Sequence, residues 1–232
     1  MGVSGMQVLI AKGRAYRHWL AYVMGCLVFE EKGYILIVLK KRANSKKGMN
    51  PMTKKIGIIV GSLRKASFTK SVAEAMLSLL PEGYEGKVIP IGHLPLFNQD
   101  FDDEGTTPES YTAFRKEIEG YDAFIFATPE YNRSYPAVIK NALDVASRPY
   151  GQNKWNGKPA AIVSVSPGAI GGFGANHHLR QVLTFLNLQP VQQPEAYVGN
   201  VTALLDDQGK VKSDDTRAFL KTVVGALVRK MA

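Results

Sequence analysis

Three short stretches hold the residues best suited to chemistry. The first, Gly61 to Thr69, gathers Ser62, Arg64, Ser67 and Thr69 into one loop directly after an apolar run. Hydroxyls, a guanidinium and the unpaired N–H groups of a helix start together form a donor set for a phosphate monoester dianion. The second, Thr128 to Pro136, reads Thr-Pro-Glu-Tyr-Asn-Arg-Ser-Tyr-Pro. Pro129 and the extended residues beside it can hold successive backbone N–H groups outward, toward the carbonyl-rich edge of a planar heterocycle, while Tyr131 supplies an apolar face. The third, Ser166 to Gly174, carries Gly168, Gly171, Gly172 and Gly174, which permit positive φ and close approach to something flat or anionic. One end takes phosphate and the other a ring, and FMN meets both demands. Singly, each stretch has a plainer account: Ser67 as a helix cap, Arg64 as a surface charge, Tyr131 as packing, Glu130 as a solvated carboxylate, the glycines as turn-makers. Jointly, the ligand reading is favoured.

Strands and helices must bring these loops together. Ile56 to Val60 is a continuous β-branched run, the pattern of a strand buried on both faces of a parallel sheet. Further strands are expected at Gly86 to Ile91, Tyr121 to Ala127, Ala160 to Val165, and between Val191 and Val198. Helices are expected from Phe68 to Leu80, from Thr107-Pro108-Glu109 to Glu119, from Ala137 to Ala146, from an Asn176 cap to Leu188, and from Ser213 to the C-terminus. Leu94 to Asp100 reads as an ordered loop, and Asp102 to Glu104 as facing water. Five strands alternating with helices imply an α/β fold, a doubly wound five-stranded parallel sheet. In the order 2-1-3-4-5, ligands bind beyond the carboxyl ends of the strands where the winding reverses, so the loops after strands one, three and four should converge. The glycine loop is no Rossmann fingerprint, because its spacing differs and it follows a late strand.

Composition bounds the function. The 232 residues carry a formal net charge of +9, but residues 1 to 50 hold nine Lys/Arg against two Glu, and the remainder is only slightly basic. The positive charge is therefore poor support for a nucleic-acid surface, and no nucleic-acid partner is expected. The single cysteine, Cys26, leaves no intrachain disulfide or Cys-based zinc site, in keeping with a reducing cytoplasm. Without a His, Cys or carboxylate cluster at ligand spacing, no metal is expected. His93, His177 and His178 are candidates by residue type only, and no general acid or base is assigned. Trp19 to Phe29 is too short to cross a bilayer, and Glu30, Glu31 and Lys32 separate it from Tyr34 to Leu39, so no stable membrane insertion is expected. The leader is open to three readings: an export signal, a peripheral or partner-binding extension, or a start assigned too far upstream. The last is favoured, with residues 1–51 a dispensable extension and residues 52–232 the working domain.

Gly61-Ser62-Leu63-Arg64 with Ser67, Pro129-Glu130-Tyr131-Asn132 with Ser134 and Pro136, Lys140 to Asp144, Gly157-Lys158-Pro159, and His178 to Gln181 resemble motifs of the NADPH-dependent FMN reductase family. Within it the chain looks most like the bacterial quinone, chromate and azo-dye reductase branch, over about residues 54 to 230. The resemblance implies a flavodoxin-like fold, a homodimer or homotetramer, and ping-pong transfer from NADPH or NADH through FMN to a small acceptor such as a quinone, azo compound, chromate or free flavin. It further implies that Ser62, Arg64, Ser67, Phe68 and Thr69 hold the phosphate, that Pro129, Glu130, Tyr131 and Asn132 meet the isoalloxazine edge, and that Ser166 and Gly168 lie in its neighbourhood. Arg133 departs from the family pattern, standing where an aromatic or small residue is frequent. Two rivals are an electron carrier on the same fold and a flavin-free binding module.

Overall fold

The computed structural model describes residues 7–11, 27–31, 34–39 and 53–232. They divide into two compact units, Met1–Asn50 and Pro51–Ala232. In the first, β1 (Gln7–Ala11), β2 (Leu27–Glu31) and β3 (Tyr34–Leu39) form an antiparallel sheet in the order β1-β3-β2. The Tyr-Ile-Leu-Ile-Val-Leu run of β3 has the β-branched and aliphatic content that a strand favours. Most of the apolar run from Trp19 lies outside the described residues.

The second unit is built on β4 (Lys54–Val60), β5 (Tyr84–Ile89), β6 (Ala123–Pro129), β7 (Pro159–Val165), β8 (Gln189–Pro190) and β9 (Ala196–Val198). Its helices are α1 (Phe68–Leu77), α2 (Asp100–Asp103), α3 (Glu109–Glu119), α4 (Ala137–Ala146), α5 (Phe173–Phe185), α6 (Val201–Leu204) and α7 (Asp214–Lys230). The strands pair in parallel in the order β5-β4-β6-β7-β8, and β9 also pairs with β7, which is the expected 2-1-3-4-5 winding with its fifth strand in two pieces. Pro190 and Pro194 have no N–H to give a ladder, and the chain leaves the sheet between Val191 and Glu195.

Period-two alternation along the central strands fills two separate layers. Ile56, Ile58, Ile125 and Val163 meet Val72 and Met76 of α1 and Leu220, Val224 and Leu227 of α7. On the opposite face Ile59, Phe124, Phe126 and Ile162 meet Phe114 of α3, Leu143 of α4, Leu179 of α5 and Trp155. Trp155 is fully buried and donates its indole N–H to Leu143 O at 3.1 Å. The edge strand β5 starts at Tyr84, two residues before the expected Gly86, and α1 stops at Leu77, where Ser78 Oγ bonds back to Ala75 O.

Two sequence expectations change in the loop before α3. Residues Asp100–Asp103 form a short helix, and Asp102 does not face water. Its carboxylate receives both Nη atoms of Arg115 at 2.8 and 2.6 Å, and Arg115 also donates Nε–H to Val145 O. Arg115 is nearly buried, so the pairing of two charges there is what allows either to leave water. Asn141 of α4 holds the preceding loop: its Oδ1 accepts from Phe97 N–H, and its Nδ2 donates to Leu94 O and Pro95 O.

Candidate functional site

The ladder of β4 ends where Gly61 N–H donates to Ala127 O at 2.8 Å. A Cβ on Gly61 would stand 2.6 Å from Ile139 Cδ1 and 3.0 Å from Pro129 Cδ, so the absence of a side chain lets the loop after β4 lie against the loop after β6. The chain then turns, and Ser67 caps α1 by accepting from Lys70 N–H at 3.1 Å. The plain reading of Ser67 as a cap is therefore correct, yet its own O–H remains free to donate. The amides of Phe68 and Thr69 lie in the first turn and have no helical acceptor. Ser62 is half-buried and Thr69 buried, and neither hydroxyl makes a hydrogen bond among the described residues. Arg64 is exposed, with one bond to Ala66 O and its guanidinium 5.4 Å from the Phe68 ring centroid. Uncommitted hydroxyls, helix amides and a guanidinium held over one helix start fit a phosphate.

The loop after β6 is a tight turn. Tyr131 N–H donates to Ser134 O at 2.8 Å, Ser134 N–H donates back at 3.0 Å, and Asn132 and Arg133 take φ of 51° and 68°. Two left-handed central residues make this a type I′ turn. The expectation of successive outward amides is corrected accordingly: Tyr131 spends its N–H inside the turn, leaving those of Asn132 and Arg133 unused within it. The Tyr131 side chain is half exposed. Glu130 is no solvated carboxylate. Its side chain is only 14% exposed, Oε2 accepts Ala175 N–H at 3.0 Å, and Oε1 faces Arg133 at 3.4 Å. A carboxylate placed on the first turn of α5 satisfies an orphan donor and meets the positive end of the helix dipole.

Because Glu130 supplies that cap from another loop, α5 starts at Phe173, earlier than the expected Asn176 cap. Asn176 is instead buried within the helix, its Nδ2 3.3 Å from both Ser164 Oγ and Ala196 O. The glycine loop mostly approaches its own protein. A Cβ on Gly171 would stand 2.8 Å from the Tyr197 carbonyl carbon, and one on Gly174 would stand 2.8 Å from Arg133 O. Gly168 differs: it is exposed, its N–H donates to Ser166 Oγ at 3.1 Å, and a Cβ there would meet nothing nearer than that oxygen at 3.6 Å. Ser166 is fixed by its own N–H to Val198 O. The two histidines make side-chain contacts. His177 Nε2 lies 2.9 Å from Tyr197 Oη, and His178 Nδ1 lies 3.2 Å from Ser134 Oγ. Burial, then the neighbouring Glu195 carboxylate, pushes the Tyr197 phenol up to about 12.

The structure thus joins the three stretches: the first touches the second at Gly61 and Pro129, and the second touches the third at Glu130, Arg133 and Gly174. A separate open groove of about 850 Å³ runs beside α1, lined by Lys70, Glu74, Asp206, Lys210 and Arg217 among others. It shares Lys65, Ala66, Ser67 and Phe68 with the loop after β4 but none of the residues of the other two loops. Among the described residues no cluster of three or more His, Cys, Asp or Glu could hold a metal ion, and no helix is long and apolar enough to cross a membrane.

Residues 54–203 match the family NADPH-dependent FMN reductase. The chain is 53% identical over 169 residues to a quinone reductase of Pseudomonas putida, covering 73% of this chain and 90% of that protein. It is 46% identical over 171 residues to a 2-hydroxy-1,4-benzoquinone reductase of a Burkholderia species, covering 74% of this chain and 92% of the relative. Among solved structures it resembles FerB, a flavoenzyme NAD(P)H:(acceptor) oxidoreductase from Paracoccus denitrificans, with 39% identity and a TM-score of 0.71 over 77% of this chain and 97% of the other. With the strand order in place and residues 54–203 matched, the chain belongs to the NADPH-dependent FMN reductase family.

Proposed function

We propose that this chain is an FMN-dependent NAD(P)H oxidoreductase that passes electrons to quinones or related small acceptors. The observation that carries the reading is the contact between the phosphate-suited loop and the Tyr131 turn through Gly61 and Pro129, which sets an anion end and a ring end side by side. Family membership and the quinone-reducing relatives support it. When bound, FMN supplies the redox chemistry, taking hydride from the nicotinamide and delivering electrons to the acceptor in a ping-pong cycle.

The chain's own work is binding and alignment. In this reading Ser62, Ser67 and Thr69 donate hydroxyl hydrogens, Phe68 and Thr69 donate amides, and Arg64 closes over the phosphate. Pro129, Tyr131 and Asn132 border the ring, and Glu130 acts through α5 by holding the turn in place. Ser166 and Gly168 form the neighbouring wall. Alignment of two ring systems is worth a large part of such a barrier, so no side chain is required as general acid or base. Residues 52–232 are proposed to carry the whole activity. A homodimer or homotetramer in a reducing cytoplasm is supported by the exposed Leu63, Leu96 and Ile170 and by the lone Cys26.

The test is to load the purified full chain with FMN and compare NADH and NADPH oxidation with a quinone. Flavin-dependent turnover is expected. Flavin-loaded protein that leaves NAD(P)H unoxidised would make it an electron carrier, and protein that takes up no FMN would make it a binding module without the cofactor.

A further inference from the structure

Arg133 stands out in the ring-end turn. It occupies the second central position of a type I′ turn at φ 68°, a place where glycine is relaxed and a side chain is strained. Despite this, the side chain is 77% exposed and makes one long contact, 3.4 Å to Glu130 Oε1. That partner is already engaged, because the other carboxylate oxygen accepts Ala175 N–H at the start of α5. Glu130 is thus shared between the helix end and Arg133, and the guanidinium, with a single long bond to it, keeps most of its donors free. Its backbone, by contrast, is rigid. Two hydrogen bonds close the turn, Gly174 packs against Arg133 O, and His178 bonds Ser134 on the far side.

We propose that Arg133 selects electron acceptors bearing an anionic oxygen substituent. This rests on the flavin reading above, which puts the Tyr131 turn at the ring, where the acceptor must come to react. A fixed backbone with a free guanidinium beside that place gives a charge-assisted, bidentate partner for a sulfonate, carboxylate or ionised hydroxyl on a quinone. The same cation is a poor partner for the 2′-phosphate of NADPH, which two riboses and a pyrophosphate separate from the reacting nicotinamide.

The decisive variant is Arg133→Gly, because glycine relaxes the turn and the fold is retained. In the flavin-loaded protein, kcat/KM is measured for a naphthoquinone sulfonate and for its parent naphthoquinone. The sulfonate-to-parent ratio is expected to fall about tenfold in Arg133→Gly and to recover in part in Arg133→Lys, while the NADPH-to-NADH ratio holds. Naphthalene sulfonate, which cannot be reduced, provides a second readout: its perturbation of the flavin absorbance should need about tenfold more compound in Arg133→Gly. An unchanged ratio, an equal fall for both quinones, or a shift in the NADPH-to-NADH ratio instead would overturn the proposal. If the wild-type protein reduces neither quinone, the oxidoreductase reading fails, and the naphthalene sulfonate titration still decides the role of Arg133.

Discussion

In the loop after β4, proposed to hold phosphate, Ser62, Ser67, Thr69 and Arg64 lie within residues 62–69, and most of their donors have no partner among the described residues. At the ring end and in the loops behind it the polar groups are spent on the protein itself: Glu130 on Ala175, Asn141 on Leu94 and Phe97, Asp102 on Arg115. The first region is local and leaves its donors unspent, as the proposed ligand role requires; the second is a brace assembled from residues distant in the chain. Donors meant for a ligand must stay unsatisfied without it, which is tolerable only where water can reach them. Groups that must fix a loop have to be satisfied internally. The exceptions within the brace are the two central turn residues, Asn132 and Arg133, and of these only Arg133 carries a charge.

Substitutions separate the two plans. The largest expected effect is in the brace: Asp102→Ala strands Arg115 in a nearly buried position and should lower stability by roughly 3–5 kcal/mol in denaturant unfolding, with FMN affinity per folded molecule unchanged. A loss below about 1 kcal/mol would mean that the pair is idle. Acid unfolding probes the same pair. The Arg115 guanidinium holds the Asp102 carboxyl below its ordinary value of 3.8, so the folded state binds this proton less readily than the unfolded state. Its contribution is complete above that ordinary value and is lost as pH falls through the lower folded value. Asp102→Asn should flatten the stability profile in that acid window and leave it parallel to wild type at neutral pH.

At the phosphate end the dissociation should be reversed. Arg64→Ala is expected to weaken FMN binding by about 1.5–3 kcal/mol, with the unfolding midpoint of flavin-free protein unmoved and hydride transfer in the loaded fraction little changed. Unchanged affinity in a titration would remove Arg64 from the phosphate set.

Gly174→Ala should affect both regions, because the new Cβ would lie 2.8 Å from Arg133 O and 3.1 Å from Glu130 Oε2. Overpacking of about 1–3 kcal/mol exceeds the gain of up to about 1 kcal/mol in helix propensity, so a net loss near 1 kcal/mol and reduced flavin loading are expected. A more stable variant with full loading would show that the turn can move without consequence. The smallest effect is expected from removing residues 1–51: equal melting temperature and kcat/KM in the shorter chain, since every proposed site residue lies from Ser62 onward. Flavin loss or aggregation on truncation would assign those residues to the working protein.

The division between sequence and structure follows the same line. Buried, mainly apolar runs at Ile56–Val60, Ala123–Ala127 and Ala160–Val165 pointed to the parallel sheet, because strands covered on both faces are largely apolar. The candidate phosphate loop was proposed from sequence for a local reason, since its hydroxyls, its guanidinium and the helix that follows are neighbours in the chain. The brace was not. Asp102 reads as a surface acid until Arg115 and Val145 are beside it, Glu130 reads as a solvated carboxylate until Ala175 is beside it, and Asn176 reads as a cap until Ser164 and Ala196 surround it. Each of these depends on a partner carried by a separate element, and a short polar side chain carries no mark of the residue it will meet. Burial follows from composition and periodicity along the chain, whereas the pairing of polar groups across it is decided only when the sheet and helices have packed.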